Sequence, residues 1–474
     1  MVLGRLADEL TRGIDTVTGA VGEVLFEPTL RLGVTGLSRS GKTVFITSLI
    51  ANLLDRARMP QLAAAADGRI LSAFLQPQPD DTLPRFDYEA HYAALTAPDP
   101  HWPDSTRAVS QLRLSLRLRP AGLIGGLTGS VTGPRTLHLD IVDYPGEWLL
   151  DLALMEKDFA AWSADALARM ELRPRRDRYQ AALAATDPAA RLEEPNAQAL
   201  AQAFTSYLHA ARAAGFSDCT PGRFLLPGDL AGSPVLSFAP LPPGPSPRGS
   251  LRAEFARRFE AYKSKVVRPF FRDHFARLDR QIVLVDALSA IHDGPRAVDD
   301  LRRTLTEVLT AFRPGVASWL GRLLGARRVD RILFAATKAD HLHHRQHPRL
   351  TQIMEALVAD ARRRADFAGA RTEAMSIAAL RATVEETREH QGASLDMVRG
   401  RIEETGKTAA FYPGELPAEP GLLLGAARDG AERWLDADYG MMHFAPAVLN
   451  LKSGEGPPHI RLDRAAQFLI GDRL

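Results

Sequence analysis

Gly36-Leu37-Ser38-Arg39-Ser40-Gly41-Lys42-Thr43 matches the spacing G-x-x-x-x-G-K-[ST] without deviation. That spacing suits one kind of chemistry, the holding of phosphate. Glycines let a backbone wrap an anion with its N–H groups turned inward, and the start of a helix adds positive partial charge. Lys42 is placed to reach the β- and γ-phosphates of a nucleotide, and the Thr43 hydroxyl to bind Mg²⁺. Ser38, Arg39, Ser40 and Gly41 complete the cradle.

Two further motifs extend the chemistry. Asp143-Tyr144-Pro145-Gly146 reads D-x-x-G. An aspartate at a strand end beside a phosphate loop holds the Mg²⁺ shell, directly or through water. Gly146 can offer its backbone N–H to a γ-phosphate, so that loss of that phosphate frees the loop. Thr337-Lys338-Ala339-Asp340 fits [NT]-K-x-D. A carboxylate there accepts two bonds from the ring N–H and exocyclic NH₂ of guanine, a donor pair adenine lacks, while the lysine stem lies over the base. The wrong base leaves buried acceptors unpaired, which is costly. Ser376-Ile377-Ala378 resembles the S-A-[KL] element that touches guanine through backbone N–H groups. Asp140, three residues before Asp143, faces the opposite side of its strand and reads as a strand-end polar residue.

These motifs need elements to aim them. Leu32 to Thr35, Thr136 to Val142, Gln281 to Asp286 and Arg331 to Ala336 are short apolar runs, the pattern of buried strands, and Thr372 to Met375 leads into the last motif. Gln111 to Leu118 alternates polar and apolar residues and predicts a half-buried strand. Val44 to Leu54 predicts a helix with Val44, Ile46, Leu49, Ile50 and Leu53 on its apolar side. Motifs that follow strands in this way predict a doubly wound, mostly parallel α/β core with the ligand at the carboxyl ends of the strands. A plain core does not need residues 151–280, where Glu156 to Ala214 and Arg252 to Arg280 read as helical and Thr220 to Ser250 as loop. The expected organisation is an amphipathic helix over 1–30, the first part of the core over 31–150, a mainly helical insert over 151–280, and the second part of the core over 281–474 with a loop insertion near 384–425.

Taken in chain order, the phosphate loop, D-x-x-G, TKAD and S-x-A resemble the motifs of Ras-like GTPases. The finer resemblance is to the YcjX-like family of bacterial P-loop proteins. It is carried by GLSRSGKT, the WP..T segment at Trp102 to Thr106, DYPGEWL, TKAD, and SIAA followed by RAT, and it spans nearly the whole chain. It implies a Ras-like core with an added helical region, binding of GTP and GDP with Mg²⁺, and an association with bacterial stress responses. Older naming of such proteins as ATPases implies an adenine nucleotide as the alternative. The resemblance also implies a threonine in the first switch, ahead of the second core strand. Thr106 is the candidate by position and Thr82 the next choice. Glu147 stands where Ras-like proteins usually carry the glutamine that orients the attacking water. A glutamate could position water or act as a base, but its charge beside the γ-phosphate predicts slow hydrolysis. Arg39, or an arginine from the helical insert, could supply transition-state charge. The expected groups are thus Lys42, Thr106, Gly146 and Glu147 for the chemistry, Thr43, Thr106 and Asp143 for the metal, and Thr337, Lys338, Asp340, Ser376, Ile377 and Ala378 for the base.

Composition narrows the alternatives. Lys plus Arg (59) nearly balance Asp plus Glu (57), so no global charge argues for nucleic acid. One cysteine, Cys219, allows no intrachain disulfide and suits a reducing cytoplasm. No apolar run approaches the roughly 20 residues of a membrane span, and Asp8, Glu9 and Asp15 interrupt what could pass for a signal peptide. The N-terminal apolar face is expected to pack on the protein; peripheral membrane contact is the lesser reading. His341, His343, His344 and His347 read as a solvated loop, with no metal assigned. The expected partners are a guanine nucleotide and an unidentified protein effector. Three functions compete: a slow GTPase switch, an ATPase that couples turnover to remodelling, and a scaffold stabilised by nucleotide without useful turnover.

Overall fold

The computed structural model describes residues 27–37, 39–104, 108–119, 134–173, 175–310, 329–367, 369–431, 433–434 and 439–474. Ser38, Thr106 and the helix expected over 1–30, as far as residue 26, lie outside them. Seven strands, β1 (Thr29–Gly36), β2 (Ile70–Gln76), β3 (Ser110–Leu118), β4 (Arg135–Asp143), β5 (Arg280–Val285), β6 (Arg331–Ala336) and β7 (Arg371–Ser376), form one sheet in the order β2-β3-β4-β1-β5-β6-β7. β4, β1, β5, β6 and β7 run parallel, and β3 is antiparallel to both β2 and β4. The helices that bear on the site are α1 (Lys42–Leu54), α2 (Gly146–Leu150), α3 (Phe159–Glu171), α4 (Glu194–Ala213), α5 (Leu251–Tyr262), α6 (Ala287–Asp293), α7 (His347–Leu357), α8 (Pro420–Arg428) and α9 (Leu462–Ile470).

Period-two alternation divides the strand residues between two faces. Leu32 and Val34 of β1, Ile282 and Leu284 of β5, and Leu333 and Ala335 of β6 join a core with α1 and α9. Their alternates Val283, Val285, Ile332, Phe334 and Ala336 join a second core on the other side. The strands buried on both faces are the ones that read as continuous apolar runs, as parallel sheets require.

β3 and β4 differ on the second face. Leu112, Leu114 and Leu116 face the first core with Leu137, Leu139 and Ile141. The alternating positions of this pair carry polar side chains: Arg113 donates two bonds to the Asp140 carboxylate, at 2.6 and 2.8 Å, and Ser115 bonds His138. Asp140 is therefore a buried mid-strand partner and not a strand-end residue. β3 is also more deeply buried than its alternation suggests, because it is an inner strand flanked by β2 and β4.

Between β4 and β5 the chain forms α2 to α5. Asp158 caps α3 by accepting from Ala161 N at 2.8 Å, and Ser250 caps α5 by accepting from Ala253 N at 3.2 Å. Trp162, Phe204, Phe238, Phe259 and Tyr262 are almost fully buried and pack as stacked and edge-to-face rings, with Phe255 buried in the same core. Burying such a ring contributes roughly 4–6 kcal/mol as an upper bound. The same cluster contains Val283, Phe334 and Ala336 of the sheet. These helices share that core with the sheet.

Residues 384–425, expected as loop, hold regular structure. β8 (Thr383–His390), β9 (Ala393–Arg401) and β10 (Thr408–Phe411) form an antiparallel ribbon, and α8 follows. Polar side chains and a Gln391-Gly392 turn, both residues in the left-handed region, hid the ribbon from a search for apolar runs. Among the described residues no helix is long and apolar enough to cross a membrane.

Candidate functional site

The phosphate loop turns between β1 and α1. Arg39 (φ 62°) and Gly41 (φ 82°) take left-handed backbone, and Gly41 is the residue that opens α1. A side chain at Gly36 would meet Ser40 Oγ at 2.2 Å and the Leu284 carbonyl at 2.6 Å, so only glycine fits there. Lys42 Nζ donates to the Gly36 carbonyl at 2.7 Å and so lies back across the loop. Ser40 Oγ is buried and has no hydrogen-bond partner. An orphaned buried hydroxyl in this loop is what a phosphate oxygen would satisfy. Arg39 is exposed at the rim.

β4 lies beside β1 with Asp143 in register with Val34, which puts Asp143 next to the phosphate loop. Thr43 and Asp143 are both buried. A hydroxyl and a carboxylate are the hard oxygen donors that Mg²⁺ takes, so the residue types fit that ion. Gly146 completes the contact. A Cβ on it would stand 2.4 Å from the Gly36 carbonyl, so the D-x-x-G loop rests directly on the phosphate loop.

The next residues bind this loop to the helices that follow. Glu147 is 4% exposed, and neither carboxylate oxygen makes a hydrogen bond; its ion-pair partner is Arg212 of α4 at 3.0 Å. Gly222 presses on the Glu147 carbonyl, which a Cβ would meet at 2.1 Å. The Trp148 ring packs edge-on to Phe270, with centroids 5.3 Å apart, and carries the Arg223 guanidinium 3.3 Å above its own. The Tyr144 hydroxyl donates to Gln281 Oε1 at 2.7 Å. Asp151 accepts from Gly222 N at 2.8 Å and from the Tyr262 hydroxyl at 2.5 Å. Burial pushes the Asp151 carboxyl up to about 7, against the pull of those two bonds.

The TKAD motif follows β6. Lys338 takes left-handed backbone (φ 59°) and its ammonium pairs with Asp286 at 2.5 Å. Burial alone would raise the Asp286 carboxyl, but Lys338 and the bonds from Ser289 hold it below its ordinary value. Thr337 N donates to the Val285 carbonyl at 2.9 Å. Asp340 is 5% exposed; its Oδ2 accepts from Ala382 N at 2.8 Å and its carbonyl accepts from the Thr383 hydroxyl. Asp286 was missed in the sequence. Its signal was the one that marked Asp143, an aspartate ending an apolar strand.

The last motif plays a different part from the one expected. Ile377 N donates to the Ala336 carbonyl at 2.8 Å and Ala378 N to the Ile460 carbonyl at 3.0 Å, so both amides are already engaged within the chain. The Ile377 carbonyl accepts from Ala339 N at 3.0 Å, and Ser376 Oγ donates to the His347 carbonyl at 3.1 Å. The segment braces the TKAD turn from behind. The Ile377 amide is engaged by the neighbouring strand β6, and the Ala378 amide because residues 458–461 pair back onto this loop, a contact no local pattern announces.

Three other expectations resolve as follows. Thr82 lies exposed in a turn where its hydroxyl and amide bond Asp80. The histidines after TKAD are not a solvated loop: His341, His343 and His347 are buried and only His344 is exposed. His343, His344 and Glu385 lie close together, but Arg381 pairs with Glu385 and Arg345 with the adjoining Asp396, so the carboxylates are already neutralised by cations. Cys219 is buried, and burial pushes its thiol up to about 12.

A parallel sheet with a phosphate loop after β1, an aspartate ending β4 and a base-reading motif after β6 defines the Ras-like P-loop class of α/β proteins. The comparisons with known proteins are narrower. The model of the YcjX-like family, DUF463, matches residues 30–474. A protein of Escherichia coli strain K12 named Ras-like GTPase YcjX is 38% identical over 460 residues, covering 94% of this chain and 96% of the relative. A protein of Shewanella oneidensis with the same name is 34% identical over 474 residues, covering 94% of each. The chain belongs to the YcjX-like family.

Proposed function

We propose that this protein is a guanine-nucleotide switch that binds GTP and GDP with Mg²⁺ and hydrolyses GTP slowly. The observation that carries the reading is Asp340. Its carboxylate is buried, one oxygen is tied to Ala382 N, and the turn that bears it is braced through Ala339 and Ile377. The other oxygen can accept from guanine, and Lys338, two residues earlier in the same turn, is held by Asp286. The relatives named Ras-like GTPases support the nucleotide class. Lys42, Ser40 and the amides of the phosphate loop would receive the β- and γ-phosphates, and Thr43 and Asp143 would hold Mg²⁺, which would neutralise phosphate oxygens as charge develops. Slow turnover follows from Glu147: a carboxylate replaces the neutral amide that orients water in faster enzymes, and it is drawn toward Arg212.

The test is calorimetric titration of the nucleotide-free protein with GDP and with ADP in Mg²⁺, repeated on Asp340→Ala. GDP should bind at least about a hundredfold tighter than ADP, and the variant should erase the difference, because the base loses its matched acceptor. ADP binding equal to or tighter than GDP sinks the guanine reading and makes the ATPase the working description. Single-turnover assays with GTP then decide the hydrolysis step; no phosphate release over hours leaves a nucleotide-stabilised scaffold.

A further inference from the structure

Glu147 poses a physical problem. It directly follows Gly146, on which a Cβ would stand 2.4 Å from the Gly36 carbonyl of the phosphate loop. A carboxylate at that point repels a terminal phosphate, and in a buried setting the repulsion is little screened. Both of its oxygens are buried and neither makes a hydrogen bond. Carrying a charge there without compensation is expensive. The compensation is Arg212, near the C-terminal end of α4, with its guanidinium 3.0 Å from Glu147 Oε1 but not aligned to hydrogen-bond it.

We infer that Arg212 is the positioning residue of Glu147: its guanidinium cancels the carboxylate's charge beside the seat of the γ-phosphate, so that a triphosphate is admitted, and it ties that admission to α4. The inference rests on the guanine-nucleotide reading of the site. The second half of it has its own support. Gly222 abuts the Glu147 carbonyl and Arg223 covers the Trp148 ring, so residues 212–223 follow any movement of Glu147. The pair is the charged joint between the D-x-x-G loop and the helices packed over it.

The experiment compares affinities of the full-length chain for GDP and GTPγS, by calorimetry in Mg²⁺, across wild type, Arg212→Met, Glu147→Gln and the double variant. Arg212→Met should lower the GTPγS-to-GDP affinity ratio roughly tenfold or more, the scale of close charge pairs. Adding Glu147→Gln should restore the ratio to that of Glu147→Gln alone, because no charge is left to compensate. A merely structural arginine moves both affinities together and is not rescued by glutamine. An unchanged ratio in Arg212→Met, or a loss the double variant does not restore, overturns the inference. If wild type prefers adenine nucleotides, the guanine reading falls by itself, and the same ratio taken with ADP and ATPγS still decides the pair. Binding of neither nucleotide overturns both.

Discussion

Asp340 and Glu147 are buried carboxylates at the carboxyl edge of one sheet, yet their surroundings are opposite. Asp340 is held by backbone: Ala382 N donates to it, its turn leans on the Ile377 carbonyl, and the neighbouring Lys338 is fixed by Asp286. Glu147 makes no hydrogen bond through its side chain and is held by one ion pair and by the packing of the residues around it. The difference suits the two tasks proposed for them. In the proposed switch the base is the same in both nucleotide states, so its reader would gain from being pre-organised, since ordering costs are met on folding and not on binding. The terminal phosphate comes and goes. A sensor for it needs contacts that can be exchanged, and ion pairs and ring packing exchange more readily than a backbone ladder.

Three measurements would break or sharpen that contrast. The largest effect is expected at the phosphate end. Trp148→Ala removes a ring that is 3% exposed and packed on Phe270 and Arg223, and should destabilise the protein by about 3–5 kcal/mol. Denaturant unfolding measures it. A cost near zero would mean that the D-x-x-G loop is not anchored through this ring.

The next effect is a pH dependence. The Asp151 carboxyl is raised from 3.8 to about 7 in the folded chain, so the folded state holds a proton that the unfolded state gives up earlier. Its contribution is fully present below about pH 4 and is lost as pH rises through about 7, at most roughly 4 kcal/mol in all. Asp151→Asn should flatten this part of the stability profile between pH 4 and 7. An unchanged slope in the variant would assign the proton elsewhere.

The smallest of the three lies at the base end. Asp286→Asn should free Lys338 and weaken GDP binding by roughly tenfold, the range for a lost bond to a charged group, while changing stability little. A loss equal to that of Asp340→Ala would make Asp286 part of the reader itself and not its support.

Much of this architecture was legible in the chain. The strands that precede the phosphate loop, D-x-x-G and TKAD are apolar runs because they are buried on both faces, and burial on two faces leaves no room for polar alternation. The ribbon over residues 383–411 was illegible: its strands are largely exposed and polar, and their order comes from pairing with one another. Asp140 looked like a strand end because its partner, Arg113, is 27 residues away.

What the sequence determined by itself is the set of loops and their order. Gly36, Lys42, Thr43, Asp143, Gly146, Lys338 and Asp340 stand in short local patterns whose chemistry depends on neighbours along the chain. What only the tertiary structure decided is who supports them. Asp286 behind Lys338, Ala382 behind Asp340, Ala336 on the Ile377 amide, Ile460 on the Ala378 amide, and Arg212 against Glu147 are partners separated by 41 to 82 residues along the chain. Such partners are set by how the elements pack, and packing free energy depends on the whole set of contacts rather than on any local spacing.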